Sequence, residues 1–337
     1  MRRYLATTLL LLVVALVALP TALGRMAGKA APPTAHDPSD TLTVKIYFPQ
    51  TQTVQAMALG EYLKGVVAAE MPPEFEMEAL KSQLVVARTY TVRRMQQFVG
   101  PGKGGCPLNA AADVCADPAT GQAYISRADL TKRLGTFAAM SLWKRLNQAE
   151  AETAGLVLTY RGELIDPLYH SVSGTVTEDA AEYFGQSLPY LKPVDDHWGA
   201  DAPKLRETRA FNPEALASAF RQNGPGVVVP AAAAKGQSAA QAPVQIVSRT
   251  ATGRVKSVKV GANTVSGREF RERLGLRSTD FTVTMRGGQV LISTHGYGHG
   301  VGMSQYGANG MARAGKGFRD ILTHYYTGVS VGRIFSE

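Results

Sequence analysis

Glu70 is the residue best placed to do chemistry. It is the last polar residue of a segment running from Glu61 to Glu70, directly before Met71-Pro72-Pro73. Leu59, Leu63, Val66 and Val67 recur there at helical spacing, and the paired prolines stop the helix just past the glutamate. A carboxyl group at a helix carboxyl end meets the negative pole of the dipole, and apolar neighbours oppose its ionisation in the same direction. A carboxyl group kept protonated near neutral pH is what a general acid requires. A solvated helix-end glutamate is the competing reading, and this stretch alone leaves both open.

Other polar residues surround that candidate with less definite roles. Lys81 and Arg88 are seven apart on one helix face, suited to steering an anionic ligand or holding Glu70, and equally to an exposed basic stripe. Gln83 lies between them and joins the candidate substrate contacts. Tyr169, His170, Ser171 and Ser173 leave a strand just before Gly174 and offer hydrogen bonds to a polar substrate. Ser171 and His170 do not make a hydrolase pair, because neighbours on a strand point to opposite faces. Gly298-His299-Gly300-Val301-Gly302 fails the dinucleotide fingerprint, since Met303 follows where a glycine is needed. It reads as a tight turn that lets backbone approach a ligand, with His299 and Gln305 as polar contacts or as structural residues.

The elements that must carry these residues read as a mixture of helix and strand. Leu42 to Phe48 alternates as a strand does. A second helix is predicted from about Glu76 to Val99, a third from Leu130 to Glu152, and a closing helix after Met303 through Ile321 to Tyr326. Leu156–Tyr160 and Glu163–Ile165, joined by Arg161-Gly162, read as a hairpin. Short strands are predicted at 244–247, 254–260, 281–285 and 290–293. The fold class is α+β, with helices grouped in the N-terminal half packed on mostly antiparallel short strands.

Composition narrows the partners. Hydrophobic residues at 45% and charged residues at 19% exclude a fully disordered chain and a polytopic membrane protein. The excess of 36 basic over 27 acidic residues gives a net charge of +9, which suits an anionic partner without choosing one. Met1-Arg2-Arg3 precedes an apolar run from Leu5, which is 19 residues when counted on to Leu23. A cleaved export signal with Ala22 and Gly24 before the cut and a retained membrane anchor both fit residues 1–24, with the balance towards the anchor. Either puts the bulk of the chain outside the cytoplasm, as a single-pass membrane protein or a secreted one, and makes nucleic acid a poor partner. Residues 25–40 read as a tether, and about 223–243 as a mobile surface insertion in the domain spanning 41–337.

The segment Glu61–Pro72, followed by Glu78–Tyr90, resembles the signature of stage II sporulation protein D and its amidase-enhancer relatives. The likeness continues through Asp113-Val114-Cys115, Gln122-Ala123-Tyr124, Ala154–Tyr160 and Tyr169–Gly174. Pro189-Tyr190-Leu191, Ser266–Arg271, Leu276–Thr279 and Gly298–Ala308 then follow in the family's order. The resemblance implies a lytic transglycosylase acting on peptidoglycan glycan strands, with Glu70 as the catalytic residue and no cofactor. One carboxyl group would protonate the glycosidic oxygen and then activate the C6 hydroxyl of N-acetylmuramic acid, closing a 1,6-anhydro ring. The second carboxylate of ordinary glycoside hydrolases is then unnecessary. The resemblance further implies septal wall thinning during engulfment, from the mother-cell membrane, beside a cell-wall amidase (stage II sporulation protein P) and stage II sporulation protein M. The alternative within the same family is a non-catalytic, glycan-binding enhancer of an amidase.

Some members of that family hold zinc with cysteines and histidines around the block at Asp113. Here Gly121 stands where a further cysteine is expected, and no histidine lies between Cys106 and Cys115. Two thiolates do not complete a tetrahedral zinc site. Outside the cytoplasm a Cys106–Cys115 disulfide is the expectation instead.

Overall fold

The computed structural model describes residues 42–100, 104–221 and 244–334. The expected anchor, tether and insertion lie outside these residues, and among the described residues no helix is long and apolar enough to cross a membrane.

The chain opens with an antiparallel hairpin, β1 (Thr43–Phe48) and β2 (Thr53–Ala58), that leads into α1 (Leu59–Glu70). Leu59, Tyr62, Leu63, Val66 and Val67 are all fully buried, and so are neighbours on the other faces, making α1 a central helix. Its partner α2 (Met77–Val92) is buried from Ala79 to Val92. A helix wrapped on every side must satisfy its polar side chains inside the protein. Ser82, Thr89 and Thr91 do so on the carbonyls of Glu78, Val85 and Ala87.

The predicted helix to Val99 stops early for a tertiary reason. Met95 is extended, and a short turn α3 (Gln96–Val99) restarts with the Gln96 N–H donating to Asp113. Asp113 also accepts from the Lys45 N–H, which ties that turn to β1 and to β3 (Val114–Cys115), a parallel neighbour of β1. The third predicted helix is likewise two: α4 (Arg127–Leu134) and α5 (Thr136–Glu152) meet at Gly135, whose φ of 81° breaks the helix.

The hairpin β4 (Leu156–Tyr160) and β5 (Glu163–Leu164) forms as predicted. Arg161 and Gly162 both take positive φ, as a two-residue hairpin turn demands. Beyond it come β6 (Tyr169–His170), α6 (Ala180–Phe184), β7 (Arg206–Phe211), α7 (Pro213–Arg221) and β8 (Val244–Arg249). The sheet β10-β9-β8 includes β9 (Val255–Val260) and β10 (Asn263–Ser266), from which α8 (Gly267–Leu274) departs. A second sheet, β11-β12-β7, holds β11 (Phe281–Arg286) and β12 (Gln289–His295). The chain closes through β13 (Met303–Ser304), α9 (Gln305–Arg313), α10 (Phe318–Tyr325) and β14 (Ser330–Arg333), which joins β4.

The fold is α+β, as expected, and among the described residues it has two large apolar cores and a small third cluster around Cys106 and Cys115. One packs α1, α2 and α5 with α9 and α10; the other, around Phe211, Phe270, Phe281 and Ile292, belongs to the later sheets.

Candidate active site

Two backbone events bring the site together. Pro72 and Pro73 cannot extend α1, so Met71 turns to an extended conformation and Glu70 is left at the helix end. Far along the chain, β6 and β13 pair in parallel for two residues, matching Tyr169 to Met303 and His170 to Ser304. That pairing lays Tyr169 beside Gln305, the first residue of α9. Gly298, Gly300 and Gly302, at φ 112°, 84° and 73°, carry the chain into β13. A Cβ at Gly300 would sit 2.6 Å from the Arg254 guanidinium, and one at Gly302 would sit 2.0 Å from the Leu168 carbonyl oxygen. The close backbone approach inferred for this run is therefore largely to protein, although Gly298 and His299 also face the cleft.

The cleft has a volume of about 650 Å³. Glu70, Tyr169, His170, Ser171, His299 and Gln305 all line it, so six of the candidates converge. Glu70 supplies its only carboxyl group among the described residues, whereas Lys204 and Arg271 contribute positive charge. Burial pushes the Glu70 pKa up, and three neighbours hold it partly back by favouring the ionised form. The Ala123 N–H donates to Oε1 at 2.9 Å, the Tyr169 hydroxyl donates to the same oxygen at 3.1 Å, and Gln305 stands beside them. The Gln305 amide nitrogen is buried without a hydrogen-bond partner. Gln122 donates in turn to the Tyr169 oxygen at 3.3 Å. Tyr169 itself is raised well above the usual phenol range by burial and by the nearby carboxylate, so it remains a donor.

Both cleft histidines are neutral. Burial and then His299 pull His170 well below the usual range. Its Nδ1 donates to the Val301 carbonyl, so Nε2 accepts from the Ser173 hydroxyl at 2.7 Å. Burial, with Arg271 next, lowers His299 to about 3. Its Nδ1 accepts from the Val301 N–H at 3.1 Å. Neither is poised to exchange protons near neutral pH.

Four candidates do not reach the cleft. Lys81 is enclosed with Glu78 and with Glu152, the latter at 2.9 Å, and lies over the Phe318 ring. Arg88 is fully buried and donates to the carbonyls of Thr153 at 2.8 Å and Leu156 at 3.2 Å. Gln83 is fully buried, with neither side-chain amide atom hydrogen-bonded. All three belong to α2, whose only residue in the cleft lining among the described residues is Tyr90. Ser173 is buried with its hydroxyl committed to His170. These four lie outside the cleft lining, where burial and internal partners hold them.

Sequence reasoning missed the Ala123 N–H, because a backbone donor leaves no trace in side-chain type. It also missed Gln122, Lys204, Arg271, Tyr297 and Tyr306. Gln122 and Arg271 stood within recognised motifs, but their aim depends on long-range folding.

Cys106 and Cys115 are disulfide-bonded. A Cβ on Gly121 would lie 2.2 Å from the Cys115 carbonyl oxygen, so no cysteine fits there on this backbone. Among the described residues no group of three or more His, Cys, Asp or Glu is placed to hold a metal.

The chain is similar to several known proteins. A family model described as Stage II sporulation protein matches residues 47–160, which include Glu70, Ala123 and the disulfide. Stage II sporulation protein D of Bacillus amyloliquefaciens is 40% identical over 307 residues, covering 90% of this chain and 82% of that protein. Its namesake in Bacillus subtilis is 37% identical over 290 residues, or 86% of this chain and 79% of that one. The amidase enhancer of Bacillus subtilis is 28% identical over 310 residues, covering 80% of this chain but 40% of the enhancer. Similarity of this extent makes the chain a member of the stage II sporulation protein D family.

Proposed function

We propose that the chain is a peptidoglycan lytic transglycosylase in which Glu70 acts first as acid and then as base. The observation that carries this reading is the solitary, half-buried carboxyl group, its pKa raised by desolvation, in a cleft otherwise lined by neutral and cationic groups among the described residues. The Ala123 and Tyr169 hydrogen bonds both fall on Oε1, with Gln305 beside the group, and Oε2 is the oxygen assigned to hand its proton to the glycosidic oxygen between N-acetylmuramic acid and N-acetylglucosamine. As the C1–oxygen bond breaks, the new carboxylate is stabilised by the Ala123 N–H and the Tyr169 O–H, and it lies beside the positive charge growing on the sugar. It then takes the proton of the C6 hydroxyl as that oxygen closes on C1. Lys204 and Arg271 suit the carboxylates that muramic acid repeats along a denuded strand.

The biological setting follows the same proposal. The domain would stand outside the cytoplasm on an N-terminal anchor, thin septal wall during engulfment, and work beside the amidase and membrane protein of the second sporulation stage. The test is direct: digest denuded glycan strands with the full chain and weigh the products. Ends of 1,6-anhydro-muramic acid are expected, and ordinary reducing ends would mean that water is the nucleophile. The relation to the amidase enhancer supports one other reading, glycan binding that stimulates a partner hydrolase. A chain that leaves glycan uncut but accelerates an amidase, with or without Glu70, would establish it.

A further inference from the structure

A second groove, of about 410 Å³, lies across the wall formed by residues 116–126. Its volume is within the range of about 300–1,000 Å³ typical of small-ligand sites. That wall is shared. Pro118, Gly121 and Gln122 line the Glu70 cleft, whereas Ala116, Tyr124, Ile125 and Ser126 line the groove. The opposite side comes from the β1–β2 hairpin: Phe48, Gln50, Thr51 and Gln55.

The chemistry of this groove differs from that of the cleft. Phe48 and Tyr124 meet edge to face, with ring centroids 5.5 Å apart, and Tyr124 stacks on Tyr62 at 5.8 Å. Tyr124 is rigidly seated, since a Cβ on Gly65 of α1 would fall 2.3 Å from its ring. The carboxamides of Gln50 and Gln55 make no side-chain hydrogen bond among the described residues, so their donors and acceptors are available to a ligand. Among the described residues Asp129 is the only charged one in the lining, and it is already paired with Lys132 at 2.8 Å and with the Ser126 hydroxyl at 2.7 Å. No cation among the described residues lines this groove, in contrast to Lys204 and Arg271 in the cleft.

Preorganised aromatic rings beside unpaired carboxamides suit an uncharged pyranose, whose C–H face packs on the rings while its hydroxyl and acetamido groups meet the amides. An anionic muramic acid or a charged stem peptide finds no counter-ion here. We infer that this groove is a second saccharide site, selective for uncharged N-acetylhexosamine units and separate from the Glu70 cleft. The choice of sugar class draws on the glycan reading above, but occupancy of the groove does not require cleavage. Because the Ala123 N–H that holds Glu70 belongs to the same wall, strands engaging the groove are presented to a site whose donor is already in place.

The test is a titration of the full chain with the neutral tetramer of N-acetylglucosamine, following the side-chain amide NMR signals of Gln50 and Gln55. Both signals should shift saturably, and Gln55→Trp, at an exposed position on an edge strand, should weaken that site at least tenfold by filling it. Gln50→Ala with Gln55→Ala serves as a second variant that adds no bulk. Signals that stay fixed throughout, or shifts confined to Gln122 and Gln305, would overturn the proposal. So would a free stem peptide that moves the two glutamines when the sugar does not. Digestion of denuded strands by the same preparation separates the two readings. Ordinary reducing ends alongside saturable Gln55 shifts would defeat only the transglycosylase, while 1,6-anhydro ends with unmoved glutamines would defeat only the groove.

Discussion

The carboxyl end of α1 and the middle of α2 both place charged residues among apolar ones, yet the protein uses them oppositely. At the end of α1, one glutamate emerges into the cleft because two prolines end the helix there. In α2, Lys81, Gln83 and Arg88 are buried away from the cleft that Tyr90 alone of that helix reaches among the described residues, and the two cations are spent on internal partners. What separates a functional polar residue from a structural one here is helix termination and burial rather than residue type. Sequence patterns report the first well and the second poorly, because a helix enclosed on all sides has no polar face to betray its surroundings.

The sharpest test of the contrast is a pair of substitutions, one in each helix. Glu70→Gln preserves shape but removes the transferable proton. Acid catalysis alone typically contributes about 10²–10⁴-fold, and the base role would vanish with it, so cleavage should fall to or below detection. Binding of uncut strands should persist, which a pull-down or titration would register. Comparable cleavage by the folded variant would place the acid elsewhere. Arg88→Met should do the reverse. It removes the guanidinium donations to the Thr153 and Leu156 carbonyls, the first of which keeps the Leu156 N–H, at roughly 1.5–3 kcal/mol for a hydrogen bond to a charged group. The urea midpoint should drop accordingly, while KM for glycan in the folded fraction stays put. A raised KM with unchanged stability would return Arg88 to the substrate.

Tyr169→Phe probes the α1 side more gently. The phenol donates to Oε1 and favours the carboxylate, so its loss should cost about tenfold to a hundredfold in kcat, the range for a hydrogen bond to a charged group. Removing a donor from the ionised form raises the Glu70 pKa further. Activity needs the protonated acid, so the alkaline limb of the pH–rate profile should move to higher pH. A limb that moves down, or does not move, would mean that Tyr169 is not coupled to the proton that matters.

Much of this arrangement was legible beforehand, and the boundary has physical causes. The Glu70 helix end, the hairpin at Arg161-Gly162 and the later strands all announce themselves through local signals: prolines, a positive-φ turn, alternation. The break at Gly135 was equally local but was hidden by apolar residues that keep helical spacing on both sides of it. The end of α2 was not local at all, since it depends on Asp113, distant in sequence, capping the turn that follows. The Ala123 N–H and the meeting of Tyr169 with Gln305 arise from pairings that only the folded chain creates, so motif spacing could nominate the residues without fixing their geometry.

The smallest expected effect concerns stability, and it turns on the sign of one shift. Burial raises the Glu70 pKa above its ordinary 4.5, so the native state holds this proton more tightly than the unfolded chain does. Ionised, the carboxylate destabilises the fold. That penalty is fully present above the folded pKa, shrinks as pH falls through it, and is gone below the ordinary value. Glu70→Gln has no such dependence. The variant should therefore be the more stable protein at neutral pH, by an amount in the range of about 0.5–2 kcal/mol seen when a strained functional group is relieved. The advantage should narrow as pH is lowered and close near pH 4, read from urea midpoints of both proteins across the series. Arg88→Met, by contrast, should remain destabilised throughout, because the donations it loses run to the Thr153 and Leu156 backbone carbonyls, which do not titrate. If the Glu70→Gln advantage instead grew on acidification, the native carboxylate would have to be stabilised rather than strained, and Glu70 would be a structural anion like the partners of α2.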